Sequence, residues 1–535
     1  MDNNRLGGIL HMKKYLNSLR MLLRIVFGRT AYVVLFLLIQ IGILFGVIRW
    51  LSEYSLYFYA SFILLGGITC IYIINKQDNP SFKLGWIIPV LMFPVFGTLL
   101  YILVEADISS RLISKRAAQF VDETADYLKQ DEQVEKRLCE EDKLAGNLAR
   151  YVSKRGGFPI YENTNVTYFP TGQDKFKRLK EELRKAKKFI FLEYFIVERG
   201  LMWNSILEIL EQKVKEGVEV RFMYDGMCSL MLLPYHYPKQ MEAKGIHCRA
   251  FAPIKPLLCT VQNNRDHRKI VVIDGHTAFT GGVNLADEYI NEKLRFGYWK
   301  DTAVMLKGDA VKSFTMMFLQ MWNIWEKTPL SYEKYLNRDL DREGQSASKE
   351  SFGGGFVMPY GDSPLDHEPV GKYVYVDILY QAKSYVHIMT PYLILDDETI
   401  NALVFAAKRD VEVIIIMPHI PDKKYAFFLA HTYYEELLDA GVQIYEFTPG
   451  FVHAKVFTSD DEKAVVGTIN LDFRSLYHHF ECAAYIYQNP VVADVEKDFQ
   501  ETLKQCVKIT KETCKAYPCY QKIAGRGLRL IAPLM

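Results

Sequence analysis

Three stretches near the start of the chain carry no charge: residues 31–48, 56–75 and 84–104. Each approaches the roughly 20 apolar residues that cross hydrocarbon. Three in close succession predict a membrane anchor over residues 1–105, with two or three hydrophobic segments, instead of a soluble core. Arg5, Lys13, Lys14, Arg20, Arg24 and Arg29 before the first run predict a cytoplasmic N-terminus. Three full crossings would then put the rest outside, yet Arg111, Lys115 and Arg116 follow the third run. Pro89 and Pro94 lie inside that run, and proline kinks or breaks a helix. The third run is therefore expected to dip in and return, or the first to lie along the interface. Either way the catalytic part stays on the cytoplasmic face.

Beyond residue 105 the pattern changes. Residues 106–153 are charged, with apolar positions such as Leu112, Phe120, Leu128, Val134 and Leu138 at helical spacing. They predict a juxtamembrane helical connector, or alternatively an interfacial amphipathic helix. Residues 338–355 are polar, end in three glycines and read as a linker. On either side of it the chain repeats itself. Ala186-Lys187-Lys188-Phe189-Ile190 is echoed by Ala382-Lys383-Ser384-Tyr385-Val386, Gly217-Val218-Glu219-Val220 by Asp410-Val411-Glu412-Val413, and Ala243-Lys244-Gly245-Ile246 by Asp439-Ala440-Gly441-Val442. Each echo is a short apolar strand after a helical stretch. Such alternation predicts an α/β fold with helices on the sheet faces, present twice, over 154–337 and 356–535.

Composition narrows the function. The 535 residues hold 65 Lys and Arg against 63 Asp and Glu, a net charge of +2. That balance argues against a nucleic-acid partner. The nine cysteines are scattered, form no CxxC pair and meet no zinc spacing, so free thiols in a reducing compartment are expected.

The repeat ends in chemistry. His267-Arg268-Lys269 is followed by Asp274, Gly281 and Asn284; His453-Ala454-Lys455 is followed by Asp460, Gly467 and Asn470 at identical spacing. On a strand, positions i and i+2 share a face, which joins His267 to Lys269 and His453 to Lys455. Asp274-Gly275 is a two-residue hairpin signal. A hairpin closed there sets Lys269 opposite Thr280 and His267 opposite Gly282, with Asn284 one step beyond. Imidazole, ammonium and carboxamide at one end of a hairpin suit a phosphoryl group. Asp274 lies about 23 Å from His267 along an extended strand, so it is expected to stabilise the turn. A partner for each histidine lies on the next strand: Asp301 after the first motif, Glu481 after the second, each able to fix a tautomer. His387, His419 and His431 are expected to bond locally. His478 and His479 point to opposite faces of a strand and predict no metal. Glu193 is open between a substrate-side and a structural role, as is the 227–237 loop between lipid and core.

The paired motifs resemble the HKD signatures of the phospholipase D superfamily. Around them Asn284-Leu285-Ala286-Asp287-Glu288-Tyr289, Tyr298-Trp299-Lys300-Asp301, Thr390-Pro391-Tyr392 and Asn470-Leu471-Asp472-Phe473-Arg474-Ser475 resemble the bacterial cardiolipin synthases of that superfamily. So do Asn79-Pro80, Trp86, Pro94, Gly97 and Tyr101 in the anchor. The resemblance implies two tandem phospholipase D-like domains forming one pseudo-symmetric active site behind transmembrane helices. It implies a motif set of His267, Lys269, Asp274, His453, Lys455 and Asp460. One histidine, preferentially His267, would attack a phosphodiester, and the other would act as acid and base. Lys269, Lys455, Asn284 and Asn470 would hold the phosphate oxygens. The implied reaction joins two phosphatidylglycerols into cardiolipin and glycerol, without cofactor or metal, on a membrane. Hydrolysis, or transfer to another alcohol, is the alternative. Three departures stand out. The first hydrophobic run is additional. Gly282 and Thr468 replace a common serine, which removes a serine hydroxyl. His479 replaces a common asparagine.

Overall fold

The computed structural model describes residues 55–105, 108–226, 232–234, 236–252, 264–326, 328–336 and 353–534, with scattered positions between 35 and 46. The expected first hydrophobic run, the 338–355 linker and most of the 227–237 loop lie largely outside these residues.

The N-terminal unit is a group of three helices, Ser55–Asn75, Pro80–Met92 and Pro94–Glu105, in mutual contact. Asn79 caps the second, its side chain accepting the Ser81 N–H at 2.9 Å. Pro94 ends the third hydrophobic run as a continuous helix: Phe93 leaves helical geometry and the chain folds back. A Cβ on Gly97 would sit 2.4 Å from the Pro89 carbonyl oxygen, so only glycine lets the two halves meet. Cys70, Ile73, Val90 and Tyr101 form the core, with Trp86 edge-on to Tyr101. Among the described residues no helix is long and apolar enough to cross a membrane. The expected crossing is therefore not seen in the described part of residues 1–105.

The larger unit holds the repeat. Its first half contributes β1 (Thr164–Phe169), β2 (Phe189–Tyr194), β3 (Glu219–Asp225), β4 (His247–Phe251), β5 (Arg265–Asp266), β6 (Ile270–Ile273), β7 (Thr277–Gly281), β8 (Tyr298–Lys300) and β9 (Ala303–Gly308). The second contributes β10 (Phe356–Asp362), β11 (Tyr385–Met389), β12 (Glu412–Pro418), β13 (Gln443–Phe447), β14 (Gly450–Val452), β15 (Val456–Ser459), β16 (Lys463–Gly467), β17 (His479–Tyr487) and β18 (Cys506–Lys508). The first sheet runs β1-β9-β7-β6-β2-β3-β4 and the second β10-β17-β16-β15-β11-β12-β13-β18. Strand for strand these are one topology, with β18 added at an edge. The echoes found in the sequence are the parallel strands β2, β3, β4 and β11, β12, β13. Two tandem copies of one mixed α/β domain are therefore present, as expected.

The 106–153 segment forms helices Ile108–Thr124, Glu132–Glu141 and Lys143–Tyr151. Phe120, Leu128, Val134 and Leu138 are buried, and Ser114 and Tyr151 bond to Leu365 and Glu368. This stretch is a packed part of the catalytic body from residue 113 onwards, which disfavours a free amphipathic helix.

Both hairpins close one residue later than expected. Ile273 pairs with Thr277 and Ser459 with Lys463, leaving three-residue loops. The cause is local. Asp274 and Gly275 take positive φ, as do Asp460 and Asp461, and make the tight turn closed by the His276 and Glu462 N–H groups. The His276 and Glu462 carbonyls then accept the N–H groups of Gly308 and Gln488 on the next segment, and both residues stay out of the hairpin ladder.

Candidate active site

Each histidine enters from a short strand that pairs with the opposite domain. β5 runs parallel to the start of β17, and His267 donates its N–H to the Phe480 carbonyl at 3.0 Å. β14 runs parallel to β8, and His453 donates to the Lys300 carbonyl at 2.7 Å. The imidazoles therefore sit where the two domains meet, just before β6 and β15 and not on the hairpin strands.

This crossing exchanges the carboxylates. His267 Nδ1 lies 2.8 and 2.9 Å from the oxygens of Glu481, in the second domain. His453 Nδ1 lies 2.7 Å from Asp301, in the first. Both residues expected as orienting partners lie within hydrogen-bond distance of an imidazole, but each lies against the other domain's histidine. Nδ1 is occupied in both rings, which leaves Nε2 to face a reacting atom. All four side chains are buried.

The lysines complete the group. Lys269 Nζ bonds the His267 carbonyl and Lys455 Nζ the His453 carbonyl, with Lys455 also 2.9 Å from His453 Nδ1. Burial pulls Lys455 down to about 7 and Lys269 down to about 8. Asp301 and Glu481 act on both lysines, and Lys269 acts on Lys455 and His453, so one shared field covers both halves. Burial also pulls both imidazoles down, His453 to about 4 with Lys455 adding to the fall. Burial alone would raise the Glu481 carboxyl; His267 and His479 hold it well below the usual range.

Asn284 is pinned, its oxygen accepting the Ile196 N–H at 3.0 Å and its amide donating to Tyr289 Oη at 2.8 Å. The buried Asn470 oxygen has no hydrogen-bond partner among the described residues. Asp274 and Asp460 stand apart from the imidazoles. Asp274 takes the N–H groups of Lys187, Lys188 and Phe189, and Asp460 those of Lys383, Ser384 and Tyr385, at 2.7–3.0 Å. Their place in the motif set is thus structural: each ties the hairpin turn to the strand beside it.

Several neighbours carry no signal in the motif spacing. Phe195 lies edge-on to His267 at 4.8 Å, and Tyr289 and Trp299 flank His453 at 5.5 and 5.4 Å. Buried Lys175, bonded to Tyr194 Oη at 2.9 Å, is pulled by burial to about 7 and senses Asp301 and Lys269. Gly282 is required by Asp301, whose Oδ1 a Cβ would meet at 2.0 Å. The expected loss of a hydroxyl holds only on that side, for Thr468 Oγ1 donates to Glu481. Buried Glu193 pairs with Arg268 at 2.5 Å, which supports its structural reading. His387 bonds Glu496 at 2.9 Å and His419 bonds Glu446 at 2.8 Å, as expected. His431 differs: its ring nitrogens are unbonded and its ring stacks on Tyr517 at 4.0 Å.

Comparison with known proteins agrees with this geometry. The family described as "Cardiolipin synthase, PLD-like domain" matches residues 179–322 and 375–503, and "Phospholipase_D-nuclease N-terminal" matches 64–104. An uncharacterized protein of Streptococcus mutans is 53% identical over 88% of this chain and all of its own length. Cardiolipin synthase 2 of Bacillus anthracis is 33% identical over 88% of this chain and 89% of its own. Among solved structures, phosphatidylserine synthase of Haemophilus influenzae shares the fold with a TM-score of 0.55 at 14% identity, covering 73% of this chain and 100% of that one. With two copies of the domain, both motifs and relatives matching along nearly their whole length, the chain belongs to the cardiolipin synthase family of phospholipase D-like proteins.

Proposed function

We propose that the site transfers a phosphatidyl group between two phosphatidylglycerol molecules, giving cardiolipin and glycerol. The observation that carries this reading is the pair of buried imidazoles, each held through Nδ1 by the other domain's carboxylate. Two histidines with free Nε2 atoms, in one field with two lysines, suit a two-step displacement at phosphorus. His267 Nε2 attacks, the phosphorus–oxygen bond to glycerol breaks, and His453 gives the departing alkoxide its proton. His453 then takes a proton from the second lipid's hydroxyl, which attacks the phosphohistidine and frees His267. Lys269, Lys455 and the carboxamides of Asn284 and Asn470 hold the phosphate oxygens. Asp301 and Glu481 orient the rings and stabilise their charged forms.

The chain divides into an anchor (1–105), a connector (106–153), two catalytic domains (154–337 and 356–535) and a linker (338–355). The first unit attaches the enzyme to the membrane that holds its substrate. Exposed Ile63, Leu64, Ile68, Ile71 and Ile74 on the Ser55–Asn75 helix support that attachment. The catalytic domains face the cytoplasm, so exposed Cys519 is expected to stay unlabelled when an impermeant thiol reagent is added to intact cells, and labelling would overturn that side.

Purified enzyme on phosphatidylglycerol vesicles tests the reaction. Cardiolipin with matching glycerol is expected; phosphatidic acid as sole product would indicate hydrolysis. Mapping of the labelled intermediate at neutral to alkaline pH, where the acid-labile phosphohistidine survives, is expected to find His267, and label on His453 would reverse the two roles.

A further inference from the structure

His479 is the one imidazole beside the site that the reaction does not use. It is 8% exposed, and among the described residues no partner lies within 3.5 Å hydrogen-bonding reach of either ring nitrogen. A buried polar ring without a partner is costly, so its environment calls for explanation. Its Nδ1 lies 3.6 Å from Glu481 Oε1, and its ring centre lies 5.4 Å from that of His267. His267, His479 and Glu481 each bring one ligand atom, and these three atoms lie within 4.8 Å of one another.

We propose that these three side chains form a binding site for a zinc-class divalent transition-metal ion, and that occupancy of this site stops phosphatidyl transfer. Zinc bonds of about 2.0–2.2 Å in a tetrahedron place ligand atoms roughly 3.4 Å apart. The Glu481 contacts, 2.8 Å to His267 and 3.6 Å to His479, bracket that spacing. Two imidazoles and one carboxylate with an open fourth position form a recurrent zinc set. The same donors discriminate against magnesium and calcium, which take oxygen ligands. No pairing of adjacent histidines is involved: contrary to the expected shared strand, His478 lies in the turn after helix Phe473–Tyr477, before the strand begins at His479, and reaches the Pro533 carbonyl at 3.1 Å.

Inhibition follows from which groups the metal takes. A lone pair of His267 spent on zinc ties that ring to the metal and away from phosphorus. Glu481 drawn to zinc no longer orients the ring. Either assignment of the two histidines stops, because both take part in both steps. The inhibition rests on the transferase reading above; the binding does not.

The test uses the full chain in detergent, with zinc sulfate as the probe. Calorimetry is expected to find one tight zinc per chain and no comparable heat from magnesium. On phosphatidylglycerol vesicles zinc blocks cardiolipin formation saturably, and a chelator restores it. In His479→Asn the zinc affinity falls roughly tenfold or more, and the inhibitory concentration rises by the same factor, measured against that variant's own zinc-free rate. Cobalt bound to the unmodified protein supplies a second readout, through the visible bands of four-coordinate cobalt and their loss when zinc displaces it. Absence of stoichiometric zinc binding, or unchanged affinity in His479→Asn, overturns the site. Failure of zinc-free enzyme to make cardiolipin overturns the transferase reading instead, and calorimetry still judges the metal site.

Discussion

At the scale of single residues, burial decides which groups are charged. Ammonium forms in the free site are lost as pH rises through about 7 at Lys455 and about 8 at Lys269. A bound phosphodiester supplies the missing counter-charge and restores both protons. The kcat/KM of the enzyme is therefore expected to fall with rising pH across this window, with kcat falling less, in a steady-state pH profile. His453, at about 4, stays neutral there until an anionic phosphodiester lies against it. Gly282 tests the geometry separately. Gly282→Ala drives a methyl into the Asp301 carboxylate that orients His453. A loss of kcat of about 10²-fold is expected, with little change in lipid binding, measured by turnover and vesicle co-sedimentation. Asp460 predicts the opposite division of effects. Asp460→Ala releases three backbone N–H groups from a carboxylate, which costs about 3 kcal/mol of stability. Thermal unfolding should show that loss while the folded fraction still forms the phosphoenzyme, which His267→Ala does not.

At the scale of elements, the parallel pairs β5–β17 and β8–β14 place the histidines, and they mark where sequence reading reached its limit. The repeat and the strands β2–β4 and β11–β13 were legible because short apolar runs recur at matched offsets. The two orienting carboxylates were legible because each sits beside a strand near its motif. Their exchange between domains was not, because it depends on β5 and β14, a two-residue and a three-residue strand that form only against a distant part of the chain. The hairpin register slipped by one because His276 and Glu462, just after the tight turns, offer their carbonyls to Gly308 and Gln488 instead of pairing across the hairpin. Phe195, Lys175 and Thr468 join the site through tertiary packing, which no spacing encodes. Gly450 tests the strand pair. Its Cβ position lies 2.2 Å from the Tyr298 oxygen and 2.4 Å from its nitrogen, so Gly450→Val must part β14 from β8. His453 then loses the Lys300 carbonyl and Asp301 together. Phosphoenzyme formation is expected to fall at least as far as in Asp301→Asn, read by trapping the labelled intermediate.

At the scale of the whole molecule, neither domain owns a complete catalytic histidine. The second domain carries His453 but borrows Asp301, and the first carries His267 but borrows Glu481. The surface between them is a core as well as a site. Tyr168 and Val304 of the first domain pack among Ala464, Val466, Ala484 and Ile486 of the second. Lys300 meets Asp498 at 2.7 Å, and Tyr168 Oη meets the same carboxylate at 2.7 Å. A cut in the linker leaves these contacts intact, because the strand pairs and the core lie on either side of it and not in it. Residues 1–345 and 346–535 expressed as separate chains are therefore expected to co-purify and to form the phosphohistidine together. Either alone should form none, since its imidazole lacks the carboxylate that sets the tautomer and would expose apolar surface that favours aggregation. Pull-down of one tagged half, followed by labelling with a radioactive phosphodiester, reads both outcomes. Labelling of an isolated half at the level of the co-expressed pair would mean that the exchanged carboxylates do not govern the reaction.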